Sequence, residues 1–191
     1  VEDRYLLCGF ADGSLAIVDV EERPGAQPSK FEAVIRIDRA QVPHARGHSF
    51  GISGVAWYPK DTGARALLAA LAPARRSGLC AALPDYPCAA YPGLFVTGSF
   101  DKTVKVWDAN SEQEALKFDV GDHVYGLAVQ SMAQTHSLLA VACGDQRVAL
   151  LDMASGGRKH TLLGHRGPVH AVCWSTSDEF VLATGGADGT L

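Results

Sequence analysis

Several features that mark common functional classes are missing from this 191-residue sequence. Its 17 Lys and Arg against 21 Asp and Glu give a net charge of −4, without the basic excess that binding to a phosphate backbone requires. No apolar run approaches the roughly 20 residues of a membrane helix, and neither a GxxxxGKS/T nor a GxGxxG phosphate-binding loop is present. We therefore expect no membrane span, no direct contact with nucleic acid and no cofactor.

The cysteines also lack the patterns that indicate disulfide frameworks or zinc sites. They form no CxxC pair and their number is odd. Three of them lie in apolar, strand-like runs, where buried thiols are common. Cys80 and Cys88 could pair within one loop, but we expect reduced thiols in an intracellular protein. The five positions are Cys8, Cys80, Cys88, Cys143 and Cys173.

A repeated strand–turn–strand pattern dominates what is present. Each copy has an apolar strand that ends in small residues, a turn that carries an aspartate, and a β-branched strand that ends in a hydrophobic residue followed by aspartate. Three complete copies and a partial fourth occupy residues 6–20, 94–108, 138–152 and 180–191. The turn aspartates Asp101, Asp145 and Asp188 are 44 and 43 residues apart, within the about 40–45 residues of one four-stranded propeller blade.

Gly-His or a variant of it precedes most of these strand pairs, at Gly47-His48, Asp122-His123 and Gly164-His165. Together with Trp107-Asp108 this is the signature of WD40 repeats. Residues 64–92, rich in Ala, Leu, Pro, Arg and Gly, predict a low-complexity loop insertion within a blade, which costs little because loop-closure entropy grows slowly with length. The sequence predicts an all-β, partial WD40 β-propeller over residues 1–191, with about three and a half blades and both ends truncated.

In WD40 blades a histidine, a hydroxyl, the turn aspartate and the tryptophan form a hydrogen-bonded tetrad. By that resemblance His48, Thr97, Asp101 and Trp107 make one complete set, which pairs polar groups that would each cost roughly 1–3 kcal/mol if buried alone. The third repeat keeps His123 and Asp145, but we place Ala142 at the hydroxyl position and Leu151 at the tryptophan position. The fourth repeat supplies His165, Thr184 and Asp188.

Two chemical alternatives use the same residue types. Ser or Thr with His and Asp could form a hydrolase triad, but recurrence of the pieces at blade spacing favours a structural role and no catalytic residue. An enzyme of propeller fold would need ionisable groups at the channel mouth, such as Asp38, His44 and Arg46, where charges are mostly solvated. His165 and His170 lack further ligands at the spacing of a zinc site, so we expect no metal.

Longer strings are more specific than these dipeptides. They include VAWYPKDTG at residues 55–63 and FVTGSFDKTVKVWD at residues 95–108, with shorter matches at 123–125, 136–141, 164–166 and 182–184. On these strings the chain resembles the Cockayne syndrome A type of WD40 protein over its whole length except residues 64–92. The WDxR motif that this family uses for adaptor binding is missing, because the corresponding strings read WDAN at 107–110 and LDMA at 151–154. The family's helical adaptor-docking segment would precede residue 1.

The resemblance implies a seven-bladed propeller that is a non-catalytic substrate receptor of a cullin-4 RING ubiquitin ligase, attached through the damaged-DNA-binding adaptor. It implies a nuclear role in transcription-coupled nucleotide-excision repair, with stalled RNA polymerase II and the Cockayne syndrome B-type remodeller as partners. The alternative is a generic WD40 scaffold in another nuclear or cytosolic complex. Candidate partner-binding residues border the strand that starts each blade, although Tyr125 could equally pack between blades and Arg46 could be merely solvated; they are Arg46, Phe50, Tyr125 and Arg166.

Overall fold

The computed structural model describes residues 5–20, 33–38, 47–58, 93–131, 133 and 136–191. Every helix or strand in these ranges is a β-strand, and none of them contains a helix that could cross a membrane. The expected insertion at 64–92 and the candidate Arg46 lie outside the described residues. The strands are β1 Tyr5–Gly9, β2 Leu15–Asp19, β3 Ala33–Ile37, β4 Ile52–Trp57, β5 Leu94–Ser99, β6 Thr103–Asp108, β7 Gln113–Asp119, β8 Val124–Val129, β9 Leu138–Cys143, β10 Arg147–Asp152, β11 Gly157–Leu163, β12 Val169–Trp174 and β13 Leu182–Gly186.

The strands form four antiparallel sheets, and in each sheet the strands that follow one another in the sequence are hydrogen-bonded neighbours. The first sheet contains β1 to β3, the second β4 to β7, the third β8 to β11 and the fourth β12 and β13. Strands β4, β8 and β12 begin the second, third and fourth sheets, and β8 contacts both of the others. Four-stranded meanders stacked through their first strands are the blades of a propeller, so the prediction of an all-β, partial β-propeller is confirmed.

The second sheet separates two apolar cores. Phe95 and Trp107 face each other across β5 and β6 and pack with the core of the first sheet, which includes Leu15. Val104 and Val106 point to the opposite side and pack with the third sheet. Because both faces are covered, β5 is buried at every position and its sequence does not alternate between apolar and polar residues.

Candidate functional site

A chain of hydrogen bonds links four fully or nearly fully buried side chains of the second sheet, here called the tetrad: His48, Thr97, Asp101 and Trp107. Trp107 Nε1 donates to Thr97 Oγ1 at 2.8 Å. Thr97 Oγ1 lies 2.7 Å from His48 Nε2, and His48 Nδ1 lies 2.9 Å from Asp101 Oδ2. The structure therefore joins residues that are up to 59 positions apart in the sequence.

The direction of donation in the tetrad follows from what each group can do. An ionised carboxylate only accepts, so the proton of a neutral His48 lies on Nδ1 and is donated to Asp101. The bare Nε2 then accepts from the Thr97 hydroxyl, which itself accepts from the Trp107 indole N–H. Thr97 and His48 are 0% exposed, so the hydroxyl cannot meet a substrate as a hydrolase nucleophile would. The arrangement stabilises the sheet.

Asp101 holds the turn between β5 and β6 against the loop that precedes β4. Its Oδ2 accepts the Ser49 N–H at 2.9 Å. Its Oδ1 accepts the Thr103 N–H at 3.0 Å and the Thr103 hydroxyl at 2.6 Å. With the bond from His48, the carboxylate fixes the ends of three strands at once.

The two ionisable members of the tetrad have displaced pKa values. Burial lowers the pKa of His48 below its ordinary value, against the opposing influence of the Asp101 carboxylate. Burial alone would raise the pKa of Asp101, but hydrogen bonds from Thr103 and the Ser49 N–H, together with His48, lower it. The histidine is therefore neutral and the aspartate ionised near neutral pH, in agreement with the direction of donation.

These shifts predict that mild acid destabilises the fold. Below its ordinary pKa of about 6.5, His48 binds a proton in the unfolded chain but resists it in the folded chain. Its contribution is therefore fully present above that pH and is lost as the pH falls, with a slope of at most about 1.4 kcal/mol per pH unit for one proton. We expect the free energy of unfolding, measured in urea from pH 8 to pH 5, to decrease in this window.

Replacing His48 with Gln should remove most of this decrease, whereas replacing His160, which is exposed on β11, should leave it unchanged. An unchanged pH dependence in His48→Gln would contradict the assignment. The Asp101 contribution has the same sign but is lost only at lower pH, below the ordinary pKa of a carboxyl group.

The fourth sheet repeats three members of this arrangement. His165 Nε2 lies 2.9 Å from Thr184 Oγ1, and Nδ1 lies 3.1 Å from Asp188 Oδ1. The Arg166 N–H donates to Asp188 Oδ2 at 2.7 Å, as Ser49 does to Asp101. That bond is the largest of several influences that lower the pKa of Asp188. The structure therefore brings together the three residues that the sequence assigned to the fourth repeat.

In the third sheet, the assignment of His123 to the tetrad is wrong. The backbone N–H of His48 donates to a turn carbonyl of the first sheet, and in the third sheet the equivalent bond is made by Val120. Val120 is therefore the counterpart of His48. His123 lies three residues later, immediately before β8, where Nδ1 is 2.6 Å from the carbonyl oxygen of Phe100. It links two blades instead of joining Asp145.

The hydroxyl position of the third sheet is occupied by Val141, not by Ala142. The pairing of β8 with β9 aligns Val141 with Thr97 of β5. Ala142 is directed to the other side, into the core shared with the fourth sheet. The histidine, hydroxyl and tryptophan positions are thus Val120, Val141 and Leu151, all buried. The third sheet replaces these three polar residues together and keeps only the aspartate, so no histidine, hydroxyl or indole is left unpaired at these positions.

Asp145 is the one polar residue that remains from the tetrad pattern in the third sheet. Its Oδ2 lies 2.8 Å from Arg147 Nη2, and Arg147 occupies the position of Thr103 in the sequence of the turn. The Oδ1 atom of Asp145 is buried without a hydrogen-bond partner.

The thiol of Cys143, two residues before Asp145, is also buried. Burial raises the pKa of this thiol to about 11, so it stays protonated.

This comparison of sheets gives a direct test of the tetrad. Single changes His48→Val, Thr97→Val and Trp107→Leu should each leave buried partners unpaired. The triple variant has the same residue types that the third sheet has at these positions, and Asp101 is the only tetrad residue that it keeps. We expect the triple variant to lose about 1–3 kcal/mol less free energy of unfolding than the sum of the three single losses. Additive losses in urea denaturation would show that the tetrad does not act as a unit.

The described candidates for partner binding lie at the same end of the sheets as the turn aspartates. Phe50 and Arg166 are exposed. The ring of Tyr125 is half-buried and touches the rings of Phe100 and His170, with centroids 5.5 and 4.8 Å apart. Binding of a partner by these residues stays a prediction. Among the described residues, no group of three or more His, Cys, Asp or Glu could hold a metal ion.

Several supporting residues were not identified from the sequence. Ser99 Oγ lies 2.9 Å from the carbonyl oxygens of Phe50 and Gly51. Lys105 is buried over the ring of Trp107, 5.3 Å from its centroid, and pairs with Glu114 at 2.7 Å. The sequence feature that could have indicated Ser99 and Lys105 is the string SFDKTVKVWD, in which polar residues recur within an otherwise buried strand pair.

Comparisons with known proteins bear on this arrangement. The family model described as WD domain, G-beta repeat matches residues 80–108 and 156–191. The WD repeat-containing protein ATCSA-1 of Arabidopsis thaliana is 40% identical over 194 residues, which cover 100% of this chain and 36% of that protein. Ribosome biogenesis protein WDR12 homologs of Drosophila persimilis and Drosophila mojavensis are 30% identical over 96 residues, or 49% of this chain and 22% of theirs. The chain thus spans about a third or less of the length of these curated relatives.

Proposed function

From the premise that this chain is a WD40 repeat protein, we propose that it belongs to the substrate receptor of a cullin-4 RING ubiquitin ligase that acts in transcription-coupled nucleotide-excision repair. The observation that carries this proposal is the similarity to ATCSA-1 along the entire chain. The name of that relative contains the abbreviation of the Cockayne syndrome A family, which the strings at residues 55–63 and 95–108 resemble.

The geometry suits a receptor that holds partners and performs no chemistry. The tetrad is sealed inside the second sheet, and its bonds to Ser49 and Thr103 fix the loops at one end of the blade. Loops held in this way present a constant surface to a partner at a low cost in conformational entropy. A bound target is then kept near the ubiquitin carrier of the ligase, where proximity raises the effective concentration of its lysines.

In this proposal the complete protein acts in the nucleus. It binds cullin-4 through the damaged-DNA-binding adaptor, and after damage it binds stalled RNA polymerase II and the Cockayne syndrome B-type remodeller. The net charge of −4 favours protein partners over direct contact with the phosphate backbone.

The proposal is tested by tagging the gene at its own locus and identifying the proteins that co-purify before and after ultraviolet irradiation. We expect cullin-4 and the adaptor in both samples, and RNA polymerase II with the remodeller after irradiation. Fluorescence of the same tagged protein should be nuclear. Cells that express the tag alone provide the background.

Recovery of another complex without cullin-4 would overturn the proposal and favour a generic WD40 scaffold. The similarity of half of the chain to WDR12 homologs, which are named as ribosome biogenesis proteins, makes pre-ribosomal particles the specific alternative to look for in that purification. A matched purification at high salt separates stable subunits from weakly bound contaminants.

A further inference from the structure

Three exposed phenylalanines lie on adjacent, hydrogen-bonded loops at the turn end of the first and second sheets. Phe10, Phe50 and Phe100 are 45%, 62% and 39% exposed. The carbonyl oxygen of Phe10 accepts the N–H of Ile52, and the Phe100 N–H donates to the carbonyl oxygen of Gly51, the residue after Phe50. Exposed aromatic clusters are uncommon on soluble surfaces and mark binding sites.

Ring contacts extend this cluster across the neighbouring blades. The Phe100 ring meets His123 and Tyr125 edge-on, with centroids 6.1 and 5.5 Å apart. Tyr125 in turn meets His170 of β12 at 4.8 Å. We call Phe10, Phe50, Phe100, His123 and Tyr125 the aromatic strip. His123 is not part of the tetrad pattern, and its ring supports Phe100 from the third sheet.

Carboxylates outnumber cations in the loops that carry the aromatic strip. Residues 10–14, 47–51, 100–102 and 119–123 contain four aspartates and one lysine. Asp101 is committed to the tetrad, and Arg158 Nη2 donates to the Val120 carbonyl at 2.6 Å, which leaves Asp12, Asp119 and Asp122 against Lys102 and Arg158. Asp122 lies beside the strip, since a Cβ on Gly144 would be 3.3 Å from Asp122 Oδ2 and 3.1 Å from Tyr125 Cε2.

We propose that the aromatic strip binds an arginine-bearing, extended segment of a partner protein. Aromatic faces attract cations, and a guanidinium both stacks on rings and pairs with carboxylates. The three exposed phenylalanines provide the faces, and Asp122 provides a carboxylate next to Tyr125. This inference deepens the proposed receptor function, because it gives the chemistry of the segment that the receptor recognises.

The test is selection of a phage-displayed library of random twelve-residue peptides on the purified protein. We expect arginine to be enriched among the selected peptides at least about threefold over the unselected library. Replacing the arginine of a selected peptide with citrulline, its neutral isostere, should weaken binding about tenfold in fluorescence anisotropy. Phe50→Ala should weaken binding by a similar factor, and Asp122→Asn, which keeps the acceptor for the His123 N–H, by less.

Phe180→Ala is the matched control, because Phe180 is 73% exposed and lies between β12 and β13 at the opposite end of the sheets. It should bind the selected peptides like the unchanged protein. No enrichment, enrichment of apolar or acidic peptides without arginine, or equal binding by Phe50→Ala would overturn the proposal. The assay contains neither cullin-4 nor the adaptor, so its failure is separate from failure of the co-purification.

Discussion

Replacing Trp107 with alanine is expected to lower the free energy of unfolding by about 3–5 kcal/mol. The side chain is fully buried, lies nearly parallel to Phe95 with centroids 6.2 Å apart, and meets His48 edge-on at 6.5 Å. Alanine would leave a cavity between the first and second sheets and remove the N–H that donates to Thr97. Urea denaturation followed by far-ultraviolet circular dichroism measures the loss.

Two further tryptophan variants separate the effect of lost side-chain volume from the effect of the lost hydrogen bond. Trp107→Phe keeps most of the apolar ring and removes the N–H, so it should lose only about 1–3 kcal/mol. Trp174→Ala is the control, because Trp174 is half-buried in the fourth sheet and its N–H donates to the Ala128 carbonyl at 3.0 Å. Equal losses for Trp107→Ala and Trp174→Ala would contradict the central place of Trp107 in the packing.

The pattern of repeats was sufficient to predict the propeller and the residues of the tetrad in the second sheet. The turn aspartates recur at blade spacing, and the strings around Thr97 and Trp107 carry polar residues inside apolar strands. Polar residues in such places need partners, which makes them visible in a sequence. The same logic identified His165, Thr184 and Asp188 in the fourth repeat.

In the third repeat the sequence predicts the hydroxyl position one residue too late, because β9 does not alternate between apolar and polar residues. The sequence of β9 is LLAVAC, and five of its six residues are buried. Without alternation of apolar and polar residues the register cannot be read, and a slip of one residue exchanges the two faces. The sequence therefore predicts Ala142 at the hydroxyl position, where the structure has Val141. The prediction of His123 is wrong because Asp122-His123 resembles Gly-His without occupying its place, which Val120 holds.

The sequence predicts Phe50 and Tyr125 as partner-binding residues but does not group them with Phe10 and Phe100, for a different reason. Phe10, Phe50 and Phe100 lie in three separate loops, and the first and last are 90 residues apart. An exposed phenylalanine has no periodic pattern around it that would predict its neighbours. Only the pairing of the loops through Gly51 and Ile52 brings the three together.

Gly13→Ala is expected to destabilise the junction of the first two blades by about 2–5 kcal/mol. Gly13 has φ of 86°, where a residue with a Cβ costs about 1–2 kcal/mol. A Cβ at this position would also lie 2.3 Å from the carbonyl oxygen of His48 and 2.9 Å from that of Phe50. Relief of such a clash requires movement of the loop that carries the tetrad histidine, at a further cost of about 1–3 kcal/mol.

The variant Gly121→Ala separates the cost of the positive φ from the cost of the steric clash. Gly121 has φ of 93°, but nothing lies within 4 Å of the position that a Cβ would take. The Gly121→Ala variant should therefore lose only the cost of placing a side chain in the left-handed region, about 1–2 kcal/mol of the free energy of unfolding. A larger loss for Gly13→Ala in urea denaturation would mean that the turn of the first sheet is packed directly on His48, so that the first blade supports the tetrad of the second. Equal losses would mean that the two blades meet too loosely at this loop to hold the tetrad and the neighbouring phenylalanines in place.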